Sequence, residues 1–108
     1  MSKEYNQNAI SGDFEFQALR EAVNYQRLLV KELGQSVRGR VIEVGSGIGQ
    51  MTARLRALPG IEYLQSIEPE PSFCEQFRRS FPEQPLLQGT IKDLPKSDWD
   101  SIVSINVL

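Results

Sequence analysis

The stretch Val41-Ile42-Glu43-Val44-Gly45-Ser46-Gly47-Ile48-Gly49 joins a run rich in β-branched residues to three alternate glycines. The run favours a strand, and the residues after the glycines have helical spacing. Glycine tolerates positive φ and has no side chain, so a ligand can approach the backbone closely. The start of a following helix would present free N–H groups and a positive dipole end. We therefore predict a strand, a turn and a helix that together bind a nucleotide or an anion.

Regular elements are predicted on both sides of this turn. Residues 1–12 are polar and are predicted to form a loose N-terminal tail. From Asp13 to Gly34 the apolar residues recur at spacings of three, four and seven, which predicts a helix that leads into the first strand. The remaining patterns predict strands over 40–44, 61–67, 85–88 and 100–107, helices over 49–58 and 71–80, and a loop over 89–99.

The alternation of strands with helices of about ten residues predicts an α/β fold. The strands are mostly apolar runs, as expected for a parallel sheet with helices covering both faces. A length of 108 residues fits one small domain, which we place at residues 13–108.

Composition excludes several classes of function. The chain has no histidine, which removes the usual general base, Ser-His-Asp triads and most zinc sites, so no metal site is expected. A net charge of −2 without a basic patch gives no strong signal for nucleic acid. The single cysteine, Cys74, cannot form an intrachain disulfide and is expected to pack. The N-terminus does not resemble a signal peptide and no run is long enough to span a membrane, so we expect a cytoplasmic protein without a membrane partner.

Two acidic residues restrict the kinds of ligand that the glycine turn can bind. The spacing is G-x-G-x-G with Gln50 next, and not the G-x-G-x-x-G of dinucleotide sites. Glu43 lies two residues before the first glycine, where a carboxylate would repel a pyrophosphate and suit an ammonium or a sulfonium. Glu68 ends the second predicted strand, where it either accepts hydrogen bonds from ribose hydroxyls or is a solvated carboxylate near a helix start.

Three segments resemble the motifs of the class I S-adenosylmethionine-dependent methyltransferases. VIEVGSGIGQMT is similar to their first motif and SIEPEPSFCEQF to their second, while LLQGTIKDLP with WDSIVSINVL resembles the third motif and the fourth strand. The resemblance covers about residues 40–108. The helix that contains Asn24-Tyr25 resembles the lead-in helix of small-molecule-type members. The side chain of Tyr25 is expected to pack in the core, and a role in a lid is the alternative.

This resemblance implies a partial Rossmann-like methyltransferase fold, with four mainly parallel strands in the order 3-2-1-4. It implies S-adenosylmethionine as cofactor, with S-adenosylhomocysteine as product. The implied cofactor-binding residues are Glu43, Gly45, Ser46, Gly47, Ile48, Gly49, Glu68, Pro69, Thr90, Ile91 and Asn106.

The family's pattern also implies individual roles within that set. Glu43 would face the amino group of the cofactor, Glu68 would bind the ribose hydroxyls, and Pro69 would pack on the adenine. Thr90 stands where many members carry an Asp that contacts the exocyclic amine, and Thr can still accept a hydrogen bond there. Plain loop structure is the alternative for Thr90 and Ile91. Asn106 would lie near the methionine carbons.

The resemblance leaves the methyl acceptor and the catalytic residues open. In the family the acceptor contacts come largely from the second half of a seven-stranded sheet, and this chain ends just past the fourth strand. We expect the cofactor-binding half of a longer enzyme, with a small-molecule acceptor. A non-catalytic nucleotide-binding or interaction module and a nicotinamide-dependent oxidoreductase are the alternatives. The fourth strand has an apolar edge without charge or proline, which predicts self-association.

Overall fold

A computed structural model describes the backbone of residues 2–105 and the side chains of residues 14–105. Within these residues it contains four strands, three α-helices and one 3-10 turn. In chain order these are α1 (Ser2–Leu33), β1 (Gly39–Val44), α2 (Thr52–Arg56), β2 (Ile61–Glu68), α3 (Pro71–Ser80), β3 (Leu86–Gln88), the 3-10 turn (Ile91–Asp93) and β4 (Ser101–Ser104).

The four strands form one parallel sheet in the order β3-β2-β1-β4. This confirms the predicted fold class and strand order. In the register of the sheet, Glu43 of β1 lies beside Ser66 of β2 and Val103 of β4. Because the strands are parallel, the glycine turn after β1, the end of β2 and the end of β4 meet at one edge of the sheet.

The core lies between the sheet and the first two helices. Val41, Leu64 and Val103 are buried on neighbouring strands and cluster with Leu55 of α2. Leu33, at the end of α1, packs against the same cluster. These contacts hold α1 and α2 on one face of the sheet, directly beneath the strand that carries the glycine turn.

The opposite face of the sheet is covered differently. Ile42 and Ile102 point away from the core cluster and line a cavity with Ile91 of the 3-10 turn and Trp99. The predicted loop over 89–99 therefore covers this face, with the 3-10 turn as its regular part. Ile102 is 59% exposed, so this cover is incomplete.

Two helices differ from the predicted bounds. Helix α1 begins at Ser2, so residues 2–12, predicted as a loose tail, belong to the helix. Helix α2 spans only Thr52–Arg56 rather than 49–58. The glycines preceding it have φ values of +71°, +60° and +96°, which lie outside the right-handed helical region. None of the helices in the described part of the chain is long and apolar enough to cross a membrane.

Candidate functional site

A cavity of about 610 Å³ opens where the carboxyl ends of β1, β2 and β4 meet. The structure brings most of the predicted first motif to its wall, together with Glu68 and Phe73 of the second motif. The predicted residues that line it are Glu43, Gly45, Ser46, Gly47, Ile48 and Glu68.

Glu43 anchors the floor of this cavity. Its side chain is buried, and its Oε1 atom accepts three hydrogen bonds, from Ser46 Oγ (3.0 Å), Thr52 Oγ1 (2.7 Å) and Ser66 Oγ (2.9 Å). These donors come from the glycine turn, from α2 and from β2. The carboxylate therefore joins three separate elements and is held in one orientation.

The second oxygen of Glu43 remains available to a ligand. None of the described residues donates a hydrogen bond to Oε2, although Glu43 lines the cavity. Burial raises the pKa of the Glu43 carboxyl, and the hydrogen bonds from Thr52, Ser66 and Ser46 oppose part of that rise. A cationic group near Oε2 would stabilise the ionised form of this buried acid.

Glu68 fixes the other side of the cavity. Its Oε1 atom accepts a hydrogen bond from the backbone N–H of Gly47 (2.7 Å), and its Oε2 atom accepts one from the N–H of Glu70 (2.9 Å). The side chain is buried. Each carboxylate oxygen can accept a further hydrogen bond, so Glu68 can still receive ligand hydroxyl groups.

The backbone of the glycine turn is already engaged within the protein. The N–H groups of Gly45 and Ser46 both donate to the carbonyl oxygen of Ile67, and Gly49 N–H donates to the carbonyl oxygen of Ser46. The N–H of Gly47 donates to Glu68, so the turn holds a carboxylate of the protein itself. Helix α2 begins only at Thr52, so the N–H groups of Gly45, Ser46, Gly47 and Gly49 belong to the turn and not to the start of the helix.

The charge of the cavity favours a cationic or polyhydroxyl ligand. Glu43 and Glu68 contribute two buried carboxylates to the wall, and among the described residues no lysine or arginine lines it. A pyrophosphate would meet two negative charges without a compensating cation. The buried carboxylate of Glu43 therefore suits a cationic group, and that of Glu68 suits ligand hydroxyl groups.

The other predicted site residues lie away from this cavity or outside the described residues. A Cβ atom on Gly49 would overlap the ring of Phe81, so this glycine permits close packing of α3. Pro69 is exposed and does not line the cavity. Thr90 caps the 3-10 turn through Asp93, and the neighbouring Ile91 lines the cavity on the opposite face. Asn106 lies outside the described residues.

Several residues of the site were not predicted from the sequence. Thr52 and Ser66 donate to Glu43 from elements that only the strand register and the turn bring together. In the sequence, only one feature weakly indicates that Ser66 belongs to the site: it is a small polar residue within the apolar run of β2. The further lining residues are Val44, Gln50, Met51, Phe73 and Ile105.

Tyr25, predicted to pack in the core, is 61% exposed. Cys74 is buried as expected, and its thiol contacts the carbonyl oxygen of Glu68 (3.2 Å).

Comparisons with known proteins place this architecture among solved structures. No family model and no curated protein matches the sequence. The structure is similar to a protein assigned as an S-adenosylmethionine-dependent methyltransferase from Methanococcus maripaludis, with 16% identity over 76% of this chain and 42% of that chain, and a TM-score of 0.63. It is also similar to the YcgJ protein from Bacillus subtilis, with 20% identity over 78% and 38% of the two chains and a TM-score of 0.60.

A third similar structure contains the cofactor. CalS10, an amino pentose methyltransferase from Micromonospora echinaspora, was solved with S-adenosylmethionine bound. It shares 14% identity with this chain over 84% of this chain and 41% of CalS10, with a TM-score of 0.59. This chain therefore spans less than half the length of each of these three proteins.

Proposed function

Because the chain has the fold of the class I S-adenosylmethionine-dependent methyltransferases, we propose that its cavity binds S-adenosylmethionine and that the chain is the cofactor-binding part of a methyltransferase. When bound, this cofactor supplies a methyl group on a sulfonium, and its loss leaves S-adenosylhomocysteine. The residues of this chain hold and orient the cofactor.

The observation that supports this proposal best is the pair of buried carboxylates. Glu43 lines the cavity, where the ammonium group of the methionine end would compensate its charge. Glu68 is held by two backbone N–H groups and keeps lone pairs for ribose hydroxyls. The turn residues Gly45 and Gly47 have open space where a Cβ atom would be, so the ligand can approach their backbone.

We propose a small molecule as methyl acceptor. The chain carries a net charge of −2 and has no cluster of cations in its sequence that would hold a phosphate backbone. CalS10, which is similar in fold, acts on an amino pentose, and this supports a small acceptor for the present chain.

Calorimetric titration of the purified chain with S-adenosylhomocysteine tests the cofactor site. We expect saturable binding, and we expect Glu68→Gln to weaken it at least about tenfold because one of the acceptors for the ribose is lost. Glu62→Gln is the matched control, since Glu62 is exposed on the same strand, and it should bind like the wild type. Circular dichroism of both variants verifies that the fold is retained.

The alternatives give different results in the same titrations. Saturable binding of NAD⁺ with no response to S-adenosylhomocysteine or S-adenosylmethionine would replace the proposal with an oxidoreductase. No binding of any of these ligands up to millimolar concentration would leave a non-catalytic interaction module. Binding of the methyltransferase ligands without turnover is the result expected of a cofactor-binding part.

A further inference from the structure

Two buried hydroxyl groups, those of Thr52 and Ser66, contact Glu43 without reaching the cofactor cavity. Both side chains are 0% exposed, and neither lines the cavity. Thr52 Oγ1 donates to Glu43 Oε1 at 2.7 Å, and Ser66 Oγ donates to the same oxygen at 2.9 Å. Any influence of these hydroxyl groups on a ligand must therefore pass through Glu43.

The O–H groups of both residues are committed to this carboxylate. Within the described residues, Glu43 is the only acceptor that either hydroxyl group has. Ser66 Oγ also lies 3.4 Å from Gln84 Nε2, which donates to it and leaves its O–H for Glu43. Thr52 is the first residue of α2 and is β-branched, so its side chain has few allowed rotamers. The surrounding elements thus fix both donors.

The three hydroxyl donors divide the two oxygens of Glu43 between the protein and a ligand. Ser46 Oγ donates to Oε1 as well (3.0 Å), and none of the described residues donates to Oε2. Burial raises the pKa of the Glu43 carboxyl, and the hydrogen bonds from Thr52, Ser66 and Ser46 lower it. The arrangement therefore leaves one oxygen available and favours the charge with which an ammonium group would pair.

Among the described residues no cation takes over this role. Glu68 is the other ionisable side chain in the cavity wall, and it adds a second negative charge. On α2, Arg54 lines a separate cavity beside α1, and Arg56 lies over an aromatic ring at the end of α3. Arg40 of β1 stacks on two aromatic rings, β4 carries no charged residue, and α3 contributes no charged residue to the wall. The hydroxyl groups are thus the groups that compensate the buried charge of Glu43.

We propose that Thr52 and Ser66 are positioning residues for the cofactor, whose hydroxyl groups keep Glu43 charged and hold it by Oε1 for the ammonium group of the methionine end. This role rests on the proposed function, because the ammonium group belongs to the proposed cofactor. Glu68, which is proposed to bind the ribose, is held by backbone N–H groups and by neither hydroxyl group. The effect should therefore be confined to ligands that carry the ammonium group.

Calorimetric titration with S-adenosylhomocysteine at several pH values tests this role, since this ligand carries the ammonium group. The affinity of the wild type should rise with pH as Glu43 ionises. Thr52→Val and Ser66→Ala each remove a donor to the charged form, so the rise should move to higher pH. Within the wild-type rise each variant should bind about three- to tenfold more weakly, because one pKa unit corresponds to a factor of about ten. The loss should shrink at higher pH, where Glu43 is charged in all of these proteins.

Two control variants separate the hydroxyl group from other effects of substitution. Thr52→Ser keeps the hydroxyl group, and its affinity should rise over the same pH range as that of the wild type. Ser80→Ala removes an exposed hydroxyl group at the end of α3, away from the cavity wall, and should bind like the wild type at every pH. Circular dichroism verifies the fold of each variant. Because Thr52 and Ser66 lie on different elements, either variant alone decides the test if the other unfolds.

A control ligand separates positioning from a loss of structure. 5′-Methylthioadenosine keeps the nucleoside and the sulfur of the cofactor but has no ammonium group. We expect Thr52→Val and Ser66→Ala to bind it with wild-type affinity at every pH. A purely structural role of the two hydroxyl groups would weaken both ligands by the same factor at every pH.

Equal weakening of both ligands would overturn this inference and leave the cofactor site in place. Variants that bind S-adenosylhomocysteine like the wild type at every pH would overturn it in the same way. A wild-type chain that binds neither ligand would overturn the proposed function itself, and this inference with it.

Discussion

Glu43 is the residue whose ionisation should control cofactor binding. Burial raises its pKa above the ordinary value of 4.5. A carboxyl with a raised pKa stabilises the folded chain most when it is protonated, so its contribution decreases as the pH rises through the folded pKa. A cationic ligand favours the ionised form, and we therefore predict that affinity for S-adenosylmethionine increases as the pH rises through this window.

Titrations at several pH values between the ordinary pKa of a glutamate and neutrality check this prediction. Glu43→Gln keeps the shape of the side chain and an oxygen that can accept hydrogen bonds, but it cannot ionise. The variant should bind more weakly and lose the increase with pH. An identical pH dependence in both proteins would assign the effect to another group.

Alanine substitutions at different glycines of the turn should lower the free energy of unfolding by different amounts. Gly45 and Gly49 both have positive φ, so alanine at either position is strained by about 1–2 kcal/mol. At Gly45 the added methyl group meets no atom within 4 Å, whereas at Gly49 it overlaps Phe81. We expect Gly49→Ala to lower the free energy of unfolding by about 2–4 kcal/mol and Gly45→Ala by less. Urea denaturation measures both, and equal losses would contradict the packing role of Gly49.

At the scale of elements, Asp100 fastens the start of β4 to β1. Its carboxylate accepts a hydrogen bond from the N–H of Arg40 (2.8 Å), and its own N–H donates to the carbonyl oxygen of Arg40 (2.8 Å). We predict that Asp100→Ala lowers the free energy of unfolding by about 1 kcal/mol, because the N–H of Arg40 loses this acceptor. Asp98→Ala, an exposed neighbour, should change it by less than about 0.5 kcal/mol in the same urea denaturation. Similar losses for both would show that the carboxylate of Asp100 does not fasten the strand.

The elements also show what the sequence could predict. β2 and α3 lie close to their predicted bounds because apolar spacing and Pro71 at the helix start are local signals. The start of α2 was misplaced because the positive φ values before it arise from the turn, which helical periodicity does not detect. The three hydroxyl donors to Glu43 could not be predicted, since their convergence depends on the register between strands and on the path of the turn. The segment that covers Ile42 could not be predicted either, because an irregular segment has no periodic pattern in the sequence.

At the scale of the whole molecule, the small size of the chain makes its melting temperature sensitive to bound ligands. A chain of 108 residues buries only roughly 60–70% of the surface that its unfolded form exposes. A ligand that binds the folded chain alone adds about 2.7 kcal/mol of stability at a hundred times its dissociation constant. In a domain of this size each kcal/mol raises the melting temperature by about 4–8 °C.

We therefore predict that saturating S-adenosylhomocysteine raises the melting temperature by on the order of 10 °C, whereas NAD⁺ leaves it unchanged. The difference follows from the carboxylate of Glu43 in the cavity, which would repel a pyrophosphate. Differential scanning calorimetry at one fixed protein concentration measures both shifts. Glu68→Gln should reduce the shift at the same ligand concentration, and Glu62→Gln should retain it. A shift of similar size with NAD⁺ would show that the charge of the cavity does not select the cofactor.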